Sequence, residues 1–336
     1  MLPTDFSMLP TDFHLDLAFD LHFGDLLNAY TPLMLWTGVG LIASRFASKN
    51  VSKFLGIALY WVGVPLQLFV LARHTQFSDT TFIPYVAIAT LILSWLLALI
   101  GWQFVRQQFD SQQFLNPESI DRSSLGSFIL ATMLGNTGFV GLTLTNSLTS
   151  STYADWAVLY SLASNVAGNY GIAVFIASYF GKSDVKPPWW KLVLDVATVP
   201  SLWAFAIGWY TRPIGLPDAI ESGLDAGVWI TIAFALSLVG LRLGKIEKWD
   251  SLKPAAIAAF LRVAIVPLAI GLGATAFGLK SDPRLILTLM SGTPTGLSVL
   301  ILAEVYNLDR DLLISTIAFS FIGLVFMLPV WIICFG

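Results

Sequence analysis

The chain has 336 residues, 56% of them apolar and only 12% charged, with a mean hydropathy of +0.75, which excludes a soluble domain and points to an all-α polytopic membrane protein. Its net charge of -3 is small, and no basic tail or patch suggests nucleic acid. Cys334 is the lone cysteine, so an intrachain disulfide and a Cys-type metal site are both excluded.

The N-terminal stretch repeats MLPTDF from Met1 and from Met8. It holds Asp5, Asp12, Asp16, Asp20 and Asp25 without a Lys or Arg. It therefore lacks the basic region of a cleaved signal peptide, and residues 1–26 are expected to form a non-cytoplasmic segment outside the fold. A helix needs about 20 apolar residues to cross the hydrocarbon core. Runs of that length predict ten spans, at 27–46, 54–72, 82–105, 124–149, 154–180, 190–210, 223–243, 254–278, 284–306 and 310–335. The loops between them are punctuated by Pro84, Pro117, Pro187 with Pro188, Pro213 with Pro217, and Pro283.

Alternate loops must lie on opposite sides of the bilayer. Thirteen of the 18 basic residues lie in or beside loops that follow odd-numbered spans: Arg45, Lys49, Lys53, Arg106, Arg122, Lys182, Lys186, Lys191, Arg242, Lys245, Lys248, Lys253 and Arg310. Four, Arg73, Arg212, Lys280 and Arg284, follow even-numbered spans, and Arg262 lies inside span eight. The positive-inside rule then puts both termini outside the cytoplasm. Ten spans divide into five and five, so the second group enters from the side opposite the first. The expected fold is ten transmembrane helices as two inverted five-helix repeats, residues 27–180 and 190–336, joined by a cytoplasmic linker at 181–189.

Spans four and nine are each broken by a polar, glycine-containing run, GNTGFVG from Gly135 and SGTPTGLS from Ser291. Unwound backbone at membrane depth survives only where protein or a cavity satisfies it, and a matched pair of breaks points to a transporter site. The expected substrate-binding residues are Gly135, Asn136, Thr137, Gly138 and Gly141 in the first break, with Thr293, Pro294, Thr295 and Ser298 in the second. Glycines free the backbone, Pro294 removes a donor, and the amide and hydroxyls supply polar contacts. Half-helix N-termini aimed at the crossing favour an anion, above all a carboxylate; half-helix C-terminal carbonyls would instead hold a cation. The competing reading takes the Gly and Thr residues as small-residue packing positions and Asn136 as interhelical glue.

At these residues the chain resembles the auxin efflux carrier family, which includes PIN-like plant proteins and bacterial malate-permease-like members. The family pattern N-T-x-x-x-G-x-P-L is met by Asn136, Thr137, Gly141 and Leu144, with Thr143 in place of the proline. Its ninth-helix pattern is met by Pro294 and the run LAEVY from Leu302 to Tyr306, while Thr295 and Ser298 stand in place of Pro and Asn. Further similarities are Pro65, Pro200, the run from Ala233 to Leu243, and Arg262 with Pro267. The resemblance implies scaffold and transport domains with crossing helices four and nine, as in sodium/proton antiporters and bile-acid symporters. It also implies elevator-type alternating access for a small organic anion, and a homodimer as in plant members.

Other polar residues in the spans have candidate roles. Glu304, at the family's acidic position, is a coupling or gating candidate, and Gln67, Asn165 and Asn169 are candidate cavity residues or helix-to-helix hydrogen bonders. Asp155, Asp195 and Asp225 near span ends are expected to meet solvent, and Arg262 to need either a partner or, as the favoured reading, a snorkelling route to the cytoplasmic interface. Trp61, Trp102, Trp189, Trp190, Trp209 and Trp331 read as interfacial anchors.

The leading expectation is a secondary transporter in the plasma (inner) membrane, with no catalytic residue, metal or cofactor beyond Na+ or H+ as coupling ion. The alternative is a sodium-coupled symporter of a bile-acid-like or inorganic anion. A membrane sensor lacks a soluble signalling domain here. An embedded enzyme lacks its motifs, since His14, His22 and His74 avoid span centres and neither HExxH nor a paired-aspartate motif occurs, and an ATP-driven pump lacks its GxxxxGK[ST] loop.

Overall fold

The computed structural model describes residues 23–74, 82–110, 122–181, 188, 190, 194, 197, 198, 200–245 and 252–336. The N-terminal duplication, Asp195, Trp189 and most of the 181–189 linker lie outside them. Among the described residues the chain is helical and forms no strand. In chain order the helices are α1 Phe23–Ala43, α2 Lys49–Ala58, α3 Val64–His74, α4 Ile83–Asp110, α5 Arg122–Met133, α6 Leu142–Leu148, α7 Ala154–Ala163 and α8 Ala173–Phe180. The second half contributes α9 Pro200–Tyr210, α10 Asp218–Leu243, α11 Leu252–Phe260, α12 Val266–Ala276, α13 Ser281–Ser291, α14 Ser298–Tyr306 and α15 Arg310–Phe335.

Among the described residues, four π-helical segments interrupt the α-helical winding, at Leu59–Gly63, Thr137–Gly141, Ser164–Ile172 and Leu261–Ile265. Two have a direct cause in the sequence. Proline lacks an N–H for the carbonyl four residues back, and its ring collides with that carbonyl. For Pro65 that residue is Trp61, and for Pro267 it is Val263; each lies in the π segment just before. Widening the turn there relieves the clash.

Among the described residues, five helices are long and apolar enough to cross a membrane: Asn50–His74, Ile83–Gln107, Asp218–Leu243, Leu252–Ala276 and Arg310–Phe335. The sequence predicts ten spans, and the predicted spans four and nine are among those without such a helix. The run predicted as span four is cut into α5 of 12 residues and α6 of 7, and that predicted as span nine into α13 of 11 and α14 of 9. None of these pieces reaches the ~20 residues of a continuous span.

Packing sorts the helices into two groups. In one, α1 lies along α10 and α9 along α3. In the other, α11 packs on α15, α12 on α13, and α4 on both α5 and α7. The core of this second group includes Phe128, Leu130, Leu144, Leu313 and Leu328. Helix ends bond to neighbouring connections: Arg73 Nη1 near the end of α3 donates to Thr211 O just after α9 (2.6 Å), Ser150 N after α6 donates to Asp282 Oδ2 in the first turn of α13 (2.9 Å), and Ser124 Oγ in the first turn of α5 donates to Asp309 Oδ2 just before α15 (2.7 Å).

Three sequence expectations are corrected by burial. Trp331 is 1% exposed, packed in the core beneath Gly292, and Trp102 is buried against Phe128. Trp61, Trp190 and Trp209 are exposed. Asp155 is 4% exposed instead of solvated, and its Oδ1 accepts from Trp156 N (3.0 Å). Arg262 does not snorkel outward; it is 2% exposed and points into the crossing of the two breaks. Distance from a span end along the sequence is thus a poor guide to depth in a bundle whose helices cover one another.

Candidate functional site

The two breaks meet. Asn136 N donates to Pro294 O (2.7 Å) and Gly296 N donates to Leu134 O (2.9 Å), so Gly135 and Thr295 oppose each other in a single antiparallel bridge. Each break thereby satisfies backbone groups that the other leaves open. On the first break Asn136 caps the wide turn that follows. Its Oδ1 accepts from Phe139 N (3.3 Å), and its carbonyl accepts from Val140 N (3.2 Å) and Gly141 N (3.0 Å).

The crossing contains its own cation. Arg262 donates through Nε to Thr293 O (2.9 Å), through Nη1 to Met133 O (3.2 Å) and through Nη2 to Thr293 Oγ1 (3.0 Å). Met133 ends α5, and Thr293 lies just beyond the end of α13, where the helix dipoles are negative. The guanidinium fork spans both ends at once, which a Lys ammonium cannot do. Gly135 is required beside it, because a Cβ there would overlap the guanidinium.

This arrangement divides the residues expected at a binding site. Thr293 is engaged by Arg262 and donates to Met290 O (3.2 Å). Thr295 turns away into the core, where Oγ1 donates to Ala131 O (2.8 Å) and N donates to Ser320 Oγ (3.0 Å). Pro294 gives its carbonyl to the bridge, and Gly141 packs against Met290 and Thr293. These four do not line the cavity beside the bridge. Gly135, Asn136, Thr137, Gly138 and Ser298 do, around a volume of ≈ 430 Å³.

Asn165 and Asn169, from the Ser164–Ile172 π segment, also line it. They join the breaks through side chains: Ser298 Oγ donates to Asn169 Oδ1 (2.8 Å), Asn169 Nδ2 to Asn165 Oδ1 (2.6 Å), and Asn165 Nδ2 to Thr137 Oγ1 (3.4 Å). Gln67 sits behind the wall, where Nε2 donates to Gly138 O (2.9 Å) and so holds a carbonyl of the first break. Glu304 lies outside the cavity, paired with Arg310 at 2.9 Å with both side chains substantially exposed.

Sequence reasoning missed the opposite wall. It comes from the π segment Leu59–Gly63 through Tyr60 and Trp61, and from α10 through Leu238 and Arg242. Arg242 counts in the sequence only as one more basic residue at a span end, and no spacing distinguishes a cavity wall from a lipid face.

No curated protein matches the chain. Residues 182–332, which include Arg242, Arg262 and the whole second break, match the family described as membrane transport protein. This is the auxin efflux carrier family that the Asn136 and Pro294 motifs resemble, and the match, over the second half of the chain, is to a family of membrane transporters.

Proposed function

We propose that this transporter is a permease or efflux carrier of a small organic anion, with its substrate held where broken spans four and nine cross. The observation that supports this most is the Gly135–Thr295 bridge with the cavity directly beside it. One wall of that cavity belongs to the α1, α2, α3, α9 and α10 group and the other to the group built on the breaks. A site between two packed bodies is what elevator-type alternating access requires, because sliding one body past the other carries the site across.

The reading includes ten spans in two inverted repeats, with both termini outside. Reciprocal packing favours it, since the first span of each half lies along the second span of the other, as α1 on α10 and α9 on α3. A sodium-coupled symporter of a bile-acid-like or inorganic anion is the alternative. Arg262 weighs against it, because the guanidinium already takes the Met133 and Thr293 carbonyls that would coordinate a cation at the crossing.

The test is uptake of labelled organic acids into proteoliposomes, with and without sodium and proton gradients. Asn136→Ala is expected to lower uptake at least about tenfold, the equivalent of one lost hydrogen bond to a charged group. Equal uptake by the variant for every acid carried would sink the crossover site.

A further inference from the structure

We infer that Arg242 is the side chain that reads the negative charge of the transported molecule, a specificity-determining role resting on the organic-anion reading above. Among the described residues that line the cavity, Arg242 is the one charged side chain. The walls around it are largely apolar, with Ile57, Trp61, Leu238 and Ile301 contributing. In such surroundings a charge interaction is screened less than in water, and the Glu304–Arg310 pair outside the cavity acts on Arg242 with opposing signs, which leaves its guanidinium as the charge that lines the cavity.

The two arginines near the crossing differ in what they have left to offer. Arg262 is buried away from the cavity, with Nε, Nη1 and Nη2 all engaged at 2.9–3.2 Å. Arg242 makes a hydrogen bond from Nη1 to Leu297 O at 3.4 Å. That is well beyond the ~2.7–2.9 Å of a strong charge-assisted bond, and a guanidinium has five N–H donors. Its position is nevertheless defined: a Cβ on Gly56 would come within 3.2 Å of Nη2, so the absence of a side chain there makes room for the guanidinium. Leu297 is the N-cap of α14, whose first turn adds positive dipole potential on the same side.

The placement has a further consequence. Arg242 stands on α10, in the group opposite the breaks, whereas Asn136 and Ser298 stand on the breaks themselves. An anion held between them touches both bodies. Charge recognition is therefore made across the gap that the transport movement opens and closes.

The experiment compares carboxylates with their neutral amides on the full chain in nanodiscs, by isothermal titration. The probes are hexanoate with hexanamide and 3-phenylpropionate with 3-phenylpropionamide. The wild-type chain is expected to bind at least one carboxylate about 10- to 100-fold more tightly than its amide. Arg242→Gln should abolish that preference while leaving amide affinity unchanged, and Arg242→Lys should restore part of it. If Arg242→Gln keeps the preference, or loses acid and amide alike, the role assigned to Arg242 is overturned while the carrier reading stands. If neither carboxylate binds the wild-type chain, the organic-anion reading fails and takes the role of Arg242 with it.

Discussion

The guanidinium of Arg262 occupies the space into which a side chain on Gly135 would project. The two residues are far apart in the sequence and come together because the π segment Leu261–Ile265 delivers its arginine to the junction of the two breaks. Gly135→Ala should therefore displace the guanidinium from Met133 O and Thr293 O and lower stability by about 2–4 kcal/mol. Gly138→Ala is the control. Its nearest neighbour is Ser161 Oγ at 4.0 Å, and the change should move the melting midpoint little, with thermal unfolding in detergent as the readout.

Arg262→Lys keeps the charge and loses the fork. One ammonium cannot replace bonds to Met133 O, Thr293 O and Thr293 Oγ1 in the geometry seen here. Stability should fall by about 2 kcal/mol in chemical denaturation, and a wild-type midpoint would show that charge alone suffices.

Asn169 and Ser298 should behave as one unit. Their 2.8 Å hydrogen bond ties the π segment to the start of α14. Each alanine replacement should cost about 1 kcal/mol, and the double replacement less than the sum of the two. Strict additivity in a double-mutant cycle would mean that the bond contributes nothing.

Glu304→Gln should leave ion dependence unchanged. The carboxylate pairs with Arg310 outside the cavity, and such exposed pairs contribute about 0–1 kcal/mol. A changed response to a sodium or proton gradient in proteoliposomes would restore Glu304 as a coupling residue.

The sequence makes the breaks legible because helix-incompatible residues in an apolar run have few explanations in lipid. It does not say which way each hydroxyl faces. Thr293, Thr295 and Ser298 look equivalent in the string, yet the first two bond inward to Arg262 and α5 and only Ser298 reaches the cavity. Arg262 was misread for a related reason: snorkelling is judged from distance along one helix, whereas its partners come from two other segments. Trp331 shows the same limit, since another helix covers the end of its span. The opposite cavity wall left no trace at all, because an apolar residue facing a pocket and one facing lipid have the same composition.

The π segments set a constraint on how this chain can vary. A π turn accommodates a residue in excess of the α-helical count, and each α-helical residue advances the angle by about 100°. Deleting the excess residue within Ser164–Ile172 would let the helix rewind as ordinary α with its two flanks close to their present phase, whereas a deletion within α7 or α8 has no excess to absorb it and turns one flank against the other by about 100°. Length should thus be less restricted inside the π segment than in the α-helical runs beside it, with single deletions in α7 or α8 inactivating transport where one inside the segment is better tolerated.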